Sequence, residues 1–97
     1  MTSEDIELLR TRIEELDAAI IRLIGERFAH VRLLGRAKAL AGQAVEDPER
    51  ENELRSLYVQ AAQREGLDPA FVLRLFETVL AHSRATQHAE NRRPKTA

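Results

Sequence analysis

A single apolar stripe along the first 41 residues constrains the fold more than any other feature of this chain. Its members follow one another at alternating steps of three and four: Ile6, Leu9, Ile13, Leu16, Ile20, Leu23, Arg27, His30, Leu34, Ala37 and Ala41. This spacing predicts one long amphipathic helix. Arg27 breaks the apolar character of the stripe, and a guanidinium that cannot lose its proton is costly to bury there without an anion. The pattern therefore predicts both a helix and an anionic partner for Arg27.

Glycine and Asp-Pro pairs mark where the helices begin and end. Asp47 and Asp68 each precede a proline, which is typical of an N-cap and the first helical turn. Gly42 and Gly66 are expected to close the first and second helices. The predicted helices are residues 3–41, 48–65 and 69–88. Since nothing resembles a strand or a repeat, the chain is predicted to be one all-α domain, residues 1–97, with a flexible polar tail at 89–97.

Two glycines lie inside the first predicted helix. Gly25 and Gly35 each cost the helix roughly 1 kcal/mol relative to alanine. We expect both to be there because another element packs closely against them. The third helix carries its own stripe, which consists of Val72, Leu75, Phe76, Val79, Leu80, Ser83 and Gln87.

The composition excludes several kinds of function. Fifteen basic residues balance sixteen acidic ones, and no basic block interleaved with aromatic residues precedes Arg92, so a nucleic-acid partner is not expected. The chain has no cysteine, which excludes disulfides and thiol chemistry. Its histidines, His30, His82 and His88, lack the spacing of metal ligands, so no metal site is predicted.

The N-terminal sequence and the hydropathy predict a soluble cytoplasmic protein. Glu4 and Asp5 stand where a signal peptide would be basic and then apolar, and no apolar run approaches ~20 residues. No membrane partner is expected.

The length of the first helix favours a homodimer. At ~1.5 Å per residue it spans more than ~50 Å, whereas a compact domain of ~100 residues has a radius of gyration of ~13 Å. Two shorter helices would leave part of its wide stripe exposed, including Ile24, Phe28 and Val31 beside the main seam. We therefore expect the long helices of two copies to pack together.

Polar residues at inward-facing positions predict a small polyanion as ligand. Arg27 and Lys38 are eleven residues apart, which is ~16 Å of rise and nearly three turns, so both point the same way. Arg10 lies ~25 Å before Arg27 and is rotated by ~100°, so only Arg10 of the partner subunit in an antiparallel dimer could reach the same molecule. Ser83 and Gln87 add neutral groups on one face of the third helix.

Each of these residues also has a plainer interpretation. Arg27 and Lys38 could extend to water from a helix edge. Ser83 could bond back to the carbonyl one turn earlier, and Gln87 could lie on a solvated helix end. Asp47 could serve only as a cap. Taken together, however, they provide cations and amides with no base or nucleophile arrangement such as Ser/His/Asp.

Several short motifs carry a resemblance to a known family. They are LRTRIEELD at 9–17, ERF at 26–28, GRAK at 35–38, VEDPERE at 45–51, GLDP at 66–69 and S-x-x-x-Q at 83–87. In this order and spacing, which covers about residues 5 to 88, they resemble the all-helical (type II) chorismate mutases of the monofunctional bacterial type. The resemblance implies three helices per subunit, intertwined into a homodimer with two identical active sites, and no cofactor or metal.

The resemblance also implies a role for each matching residue. Arg27 and Arg10 of the partner subunit would hold the two carboxylates of chorismate, and Lys38 and Gln87 would bond its ether oxygen. Those four are the expected catalytic residues. The other expected substrate-binding residues are Glu51 and the backbone around Asp47, at the ring hydroxyl, and Arg50 and Ser83, at the carboxylate end.

The implied reaction suits such a site. Chorismate becomes prephenate, a precursor of phenylalanine and tyrosine, by a Claisen rearrangement in which a carbon–oxygen bond breaks as a carbon–carbon bond forms. No protein nucleophile is needed, since the enzyme holds the compact conformer and stabilises negative charge growing on the ether oxygen.

Two other functions stay open on the sequence. Isochorismate-pyruvate lyases, which form salicylate, share the scaffold, although the complete VEDPERE segment and Ser83 resemble a mutase more. A non-catalytic helical dimerisation or regulatory module would explain the seam but not the cations and Gln87. We expect no fused dehydratase, dehydrogenase or amino-acid-sensing domain in 97 residues, so regulation within the chain is not expected. Feedback inhibition and a regulatory contact with another aromatic-pathway enzyme stay open.

Overall fold

The computed structural model describes residues 1–95, which form three α-helices. These are α1 (Ser3–Ala41), α2 (Pro48–Arg64) and α3 (Pro69–Asn91). The all-α prediction is confirmed for the described residues. Within them, no helix combines the length and the apolar character needed to cross a bilayer.

The two N-caps form as the sequence predicts. The Asp47 carboxylate accepts from the backbone amide of Arg50 at 3.1 Å, and the Asp68 carboxylate accepts from that of Ala70 at 3.0 Å. Each bond satisfies an amide that has no partner within its own helix. The Asp-Pro pairs therefore fix where α2 and α3 begin.

Glycines end α1 and α2 in the left-handed backbone region. Gly42 has φ 71° and Gly66 has φ 69°, values that carry little strain only for glycine. After α1, the amide of Gln43 donates to the carbonyl of Lys38 at 2.9 Å, the wrapping bond of a Schellman motif. The chain can thus reverse within a few residues on its way to α2.

Helix α3 is longer than predicted. The amides of Arg92 and Arg93 still donate to the carbonyls of His88 and Glu90, at 3.1 and 3.2 Å, so the helix runs to Asn91. Residues 89–91, predicted as tail, are helical, and Glu90 is buried. Residues 96–97 of the predicted tail lie outside the described residues.

The chain divides into two units, and the first is Met1–His30, the N-terminal part of α1. Its stripe residues remain 44 to 56% exposed, and they are Ile6, Leu9, Ile13, Leu16, Ile20 and Leu23. No residue of this unit is buried within the described chain. The predicted stripe is thus present as one helix face, and that face is open.

The second unit begins at Val31 and contains the core. α2 packs against α3, with the rings of Tyr58 and Phe76 stacked at a centroid distance of 4.2 Å. The buried apolar residues are Val31, Ala39, Val45, Ala62, Val72 and Leu80. The predicted α3 stripe is largely confirmed, except that Leu75 is half exposed.

In the last turns of α1, α3 covers a face beside the predicted stripe. Leu34, Ala37 and Ala41 of the stripe are exposed within the described chain, as Ile6 to Leu23 are, and the buried face is formed by Val31, Gly35 and Ala39. α3 lies against this flank because its residues are small or compact, and Gly35 in particular permits close approach. Gly25 was predicted to permit it too, but a β-carbon there would have no described neighbour within 4 Å.

Candidate active site

Lys38 and Gln87 form the centre of the candidate site. The Lys38 ammonium donates to the Gln87 amide oxygen at 2.8 Å and to the Val45 carbonyl at 3.0 Å. Gln87 is only 7% exposed and Lys38 is half-buried. The plainer interpretations, Lys38 extended to water and Gln87 on a solvated helix end, are therefore wrong.

The pair retains hydrogen-bond donors for a ligand. An ammonium has three donors, and Lys38 uses two in these contacts. Because an ammonium only donates, the Gln87 atom that faces it is the amide oxygen, which leaves the amide nitrogen to donate elsewhere. A cationic donor and a neutral donor thus stand side by side in a partly desolvated place, which suits an anion or an oxygen that gains negative charge.

Gly35 brings these side chains together. A β-carbon on Gly35 would lie 2.9 Å from the α-carbon of Gln87 and 3.2 Å from the β-carbon of Glu90. The two helices therefore approach backbone to backbone one turn before Lys38. This close approach lets the Lys38 ammonium reach across to the Gln87 amide.

Ser83 lies on the same face of α3, one turn before Gln87, and is buried. Its hydroxyl donates to the carbonyl of Val79 at 2.7 Å, as the plainer interpretation predicted. The one hydroxyl hydrogen is committed to the helix backbone in this arrangement.

Glu51 is held by two guanidinium groups. Arg84 from α3 donates to its Oε1 at 2.6 Å, and Arg55, one turn further along α2, donates to the same oxygen at 3.3 Å. The Glu51 side chain is 17% exposed. Sequence reasoning missed Arg84: its neighbours Ser83 and Gln87 were identified, but no spacing pattern links residue 84 to residue 51 across two helices.

Arg55 also bonds Glu77 of α3 through two nitrogens, which makes a second tie between α2 and α3. The hydrogen bond from Arg55 holds the pKa of the Glu77 carboxyl below its usual value, and Glu77 raises the pKa of Arg55 in turn. The i,i+4 spacing of Glu51 and Arg55 was a readable signal for the first half of this network.

Arg50 and Asp47 lie at the start of α2. The Arg50 guanidinium pairs with Glu53 of its own helix at 3.1 Å and is largely exposed. Asp47 serves as the N-cap. The structure therefore does not bring the Arg50 guanidinium to the Lys38–Gln87 pair.

A further contact missed by the sequence lies next to Gln87. His88 bonds the carboxylate of Glu46, in the segment between α1 and α2. This hydrogen bond is the main reason that the pKa of Glu46 is lowered. Both side chains are about half exposed.

Arg10 and Arg27 belong to the first unit. Arg10 pairs with Glu7 at 2.6 Å and is 67% exposed. Arg27 is half-buried, and its guanidinium carbon lies 5.8 Å from the centroid of the Phe28 ring, within reach of a cation–π contact. Both remain candidates for the roles that the sequence predicts.

Other candidate sites are weak. Among residues 1–95, no cluster of three or more His, Cys, Asp or Glu side chains could hold a metal ion. Two open surface depressions contain no predicted site residue. They are lined by Arg55, Ser56, Val59 and Gln60, and by Glu4, Glu7, Leu8 and Thr11.

Comparison with known proteins assigns the sequence to a family. Residues 9–88 match the family model described as chorismate mutase type II. The bifunctional chorismate mutase/prephenate dehydratase of Escherichia coli K12 is 34% identical over 92% of this chain, but the alignment spans only 23% of that protein. A chorismate mutase of Methanocaldococcus jannaschii is 26% identical over 87% of this chain and 85% of its own length. The match runs from the N-terminal part of α1 through Gln87, and the chain belongs to the chorismate mutase type II family.

Proposed function

We propose that this chain is an isomerase that converts chorismate to prephenate, a step in the formation of phenylalanine and tyrosine. The observation that carries the proposal is the partly buried Lys38–Gln87 pair, which presents a charged and a neutral donor side by side. The family match and the similarity to a chorismate mutase over most of both chains support it. We propose only the mutase reaction for this chain, and we propose that it takes place in the cytoplasm.

Lys38 and Gln87 act on the ether oxygen of the substrate. As the carbon–oxygen bond breaks, negative charge grows on that oxygen, and the third Lys38 hydrogen and the Gln87 amide nitrogen donate to it. Gly35 and the Val45 carbonyl fix both donors before the substrate arrives, so little reorganisation is needed during the reaction. Loss of one such donor typically lowers the rate ~10²- to 10³-fold.

Arginines hold the two substrate carboxylates. In the proposal Arg27 binds one of them and Arg10 of the partner subunit binds the other, which selects the compact conformer. Arg50 and Ser83 complete the carboxylate end. For these roles Arg50 must leave Glu53, and the Ser83 hydroxyl must turn from Val79.

Glu51 and the backbone around Asp47 receive the ring hydroxyl. Glu51 is shielded from water, and both observed guanidinium contacts fall on one of its oxygens, Oε1. The other oxygen is then the natural acceptor for a hydroxyl. No cofactor or metal takes part in the proposed reaction.

The active form in this proposal is a homodimer. Burying an aliphatic side chain fully contributes ~1.5–3 kcal/mol, so six half-exposed stripe residues on α1 leave on the order of 5 kcal/mol unrealised in a single copy. A second copy offers the same face, and self-complementary faces suit a two-fold dimer. A regulatory contact with another aromatic-pathway enzyme remains a hypothesis beyond this proposal.

One assay tests the activity. The purified chain is mixed with chorismate, and prephenate is measured as phenylpyruvate after acid treatment. A parallel reaction with isochorismate is monitored by the fluorescence of salicylate. Lys38→Ala should abolish most turnover, whereas Arg32→Ala, at an exposed position of the same helix, should not.

The possible results separate the proposal from its rivals. Prephenate formation that depends on Lys38 supports the mutase. Salicylate and pyruvate from isochorismate, without prephenate from chorismate, would establish a lyase. If neither reaction occurs and a bicyclic transition-state analogue does not bind, the chain is a non-catalytic helical module.

A further inference from the structure

Arg84 joins α3 to α2 at a position where the proposed site receives the ring hydroxyl. It follows the buried Ser83 and precedes Gln87 by three residues, and its Nη1 lies 2.6 Å from Glu51 Oε1. The Arg84 side chain is 33% exposed. A charge-assisted hydrogen bond this short and this sheltered holds both side chains in one orientation.

The two oxygens of Glu51 are used unequally. Arg84 and Arg55 both donate to Oε1, and neither donates to Oε2. A carboxylate has about four lone-pair sites, so these two contacts leave the capacity of Oε2 to accept unused. An unrestrained glutamate at this position would distribute its carboxylate over several rotamers, and each hydroxyl contact would then cost ordering entropy.

We propose that Arg84 is a positioning residue for the recognition of the ring hydroxyl: by holding Glu51 Oε1, it reserves Oε2 to accept from the substrate. Arg84 acts through Glu51 and does not touch the substrate itself. The inference rests on the proposed chorismate mutase function, and it assigns a role to a residue outside the set that the sequence identified.

A purely structural role makes a different prediction. If Arg84 only tied α2 to α3, then the other ion pair between these helices, Arg55–Glu77, should matter equally. Glu77→Gln weakens that second tie and leaves the Arg84–Glu51 contact in place. It is therefore the matched control for loss of the Arg84 guanidinium.

The experiment measures kcat and KM for four variants: Arg84→Met, Arg84→Lys, Glu77→Gln and Glu51→Ala, together with the Arg84→Met/Glu51→Ala double variant. Each acts on chorismate and on the chorismate analogue in which hydrogen replaces the ring hydroxyl. Circular dichroism and urea unfolding first establish that each variant is folded.

The expected result is a loss specific to the hydroxyl. Arg84→Met should raise KM for chorismate about tenfold with kcat nearly unchanged, the size of one hydrogen bond to a charged group. The loss should disappear with the analogue and in the Glu51→Ala background, since the two residues act as one unit. Arg84→Lys should recover most of the affinity, and Glu77→Gln should retain it.

Other outcomes overturn the inference in distinguishable ways. A wild-type chain without mutase activity would remove the proposed function and this inference with it. If the wild type is active, two results would show that Arg84 does not act through Glu51. One is that Arg84→Met raises KM equally for chorismate and for the analogue. The other is that its effect adds to that of Glu51→Ala in the double variant. Equal losses of affinity for chorismate in Arg84→Met and Glu77→Gln would show that Arg84 only connects α2 to α3. If Arg84→Met does not fold, full activity of Arg84→Gln on chorismate would contradict the inference just as well.

Discussion

Gly35 and Gln87 lie so close that a β-carbon on Gly35 would stand 2.9 Å from the α-carbon of Gln87. Real β-carbons do not approach a backbone atom this closely, so one helix must shift if the glycine is replaced. The contact lies one turn before Lys38 and includes the residue that Lys38 bonds. The positions of the Lys38 and Gln87 donors therefore depend on the absence of a side chain at residue 35.

Gly35→Ala should impair both stability and turnover. Overpacking of this kind typically costs 1–3 kcal/mol, more than the roughly 1 kcal/mol gained from helix propensity. Urea unfolding measures the first effect and kcat the second, with at least a tenfold loss of kcat expected. Gly25→Ala, which meets no described atom within 4 Å, serves as control and should be neutral or stabilising. A Gly35→Ala enzyme with unchanged kcat would show that the close approach is not needed for catalysis.

Lys38→Ala and Arg27→Ala should lose activity by different routes. The Lys38 contact to the ether oxygen strengthens as charge develops, so its loss should lower kcat ~10²- to 10³-fold. Arg27 holds a carboxylate that is charged before and during the reaction, so its loss should mainly raise KM. Steady-state kinetics on variants that retain helical circular dichroism distinguish the two. A Lys38→Ala effect confined to KM would contradict the ether-oxygen role.

Gln87→Glu should make activity dependent on pH. The substituted carboxylate would face the Lys38 ammonium, whose charge favours the ionised form and lowers the pKa of the new glutamate, while burial opposes this. An ionised carboxylate repels the developing oxyanion, so activity should appear only as pH falls through that pKa. Profiles of kcat/KM from about pH 4 to 8, with folding checked at each pH, compare the variant with the wild type. Parallel profiles would remove Gln87 from the mechanism.

A mixture of Arg10→Ala and Arg27→Ala chains should recover a kcat/KM for chorismate that neither variant reaches alone. In the proposed dimer each site combines Arg27 of one subunit with Arg10 of the other, so a heterodimer contains one intact site. Differently tagged chains allow the heterodimer to be purified and assayed. Inactive heterodimers would place both arginines in sites built from one subunit.

Acid should destabilise the second unit through Glu46 and Glu77. The His88 hydrogen bond lowers the pKa of Glu46, and the Arg55 hydrogen bond lowers that of Glu77, from an ordinary value of 4.5. Their contribution to stability is fully present above that value and is lost as pH falls through the lower folded-state pKa values. The free energy of unfolding, measured with urea, should therefore decline as pH falls below about 4.5. Glu46→Gln and Glu77→Gln should each flatten the decline, and an unchanged slope would contradict the assignment.

The sequence predicted the elements that depend on local chemistry. Asp47 and Asp68 cap their helices, and Gly42 and Gly66 end theirs, because caps and left-handed residues act within one turn of the chain. The family resemblance predicted that Lys38 and Gln87 act on the same substrate atom, and the structure brings these two side chains into contact.

The features that the sequence did not predict depend on packing between segments that are distant along the chain. Periodicity placed Leu34 in the seam, but α3 packs on the neighbouring flank at Gly35, since a stripe wider than one helix face does not specify which edge is covered. Glu90 was assigned to a flexible tail and is buried beside Gly35. The partner of Arg84 lies 33 residues away, a distance that no helical spacing encodes.

Because the apolar stripe on the first unit is exposed, the stability of this part of α1 depends on the concentration of the molecule that binds the stripe. Helices in proteins are stabilised mainly by the packing of an amphipathic face, and the apolar face between Ile6 and Leu23 gains little from its own chain. A partner that binds that face stabilises the helix by its binding free energy. The apparent melting temperature of the helix therefore rises with the logarithm of the partner's concentration. If the cover is another copy of the chain, dilution alone unfolds the segment that carries Arg10 and Arg27, and the activity per molecule falls as the solution becomes more dilute.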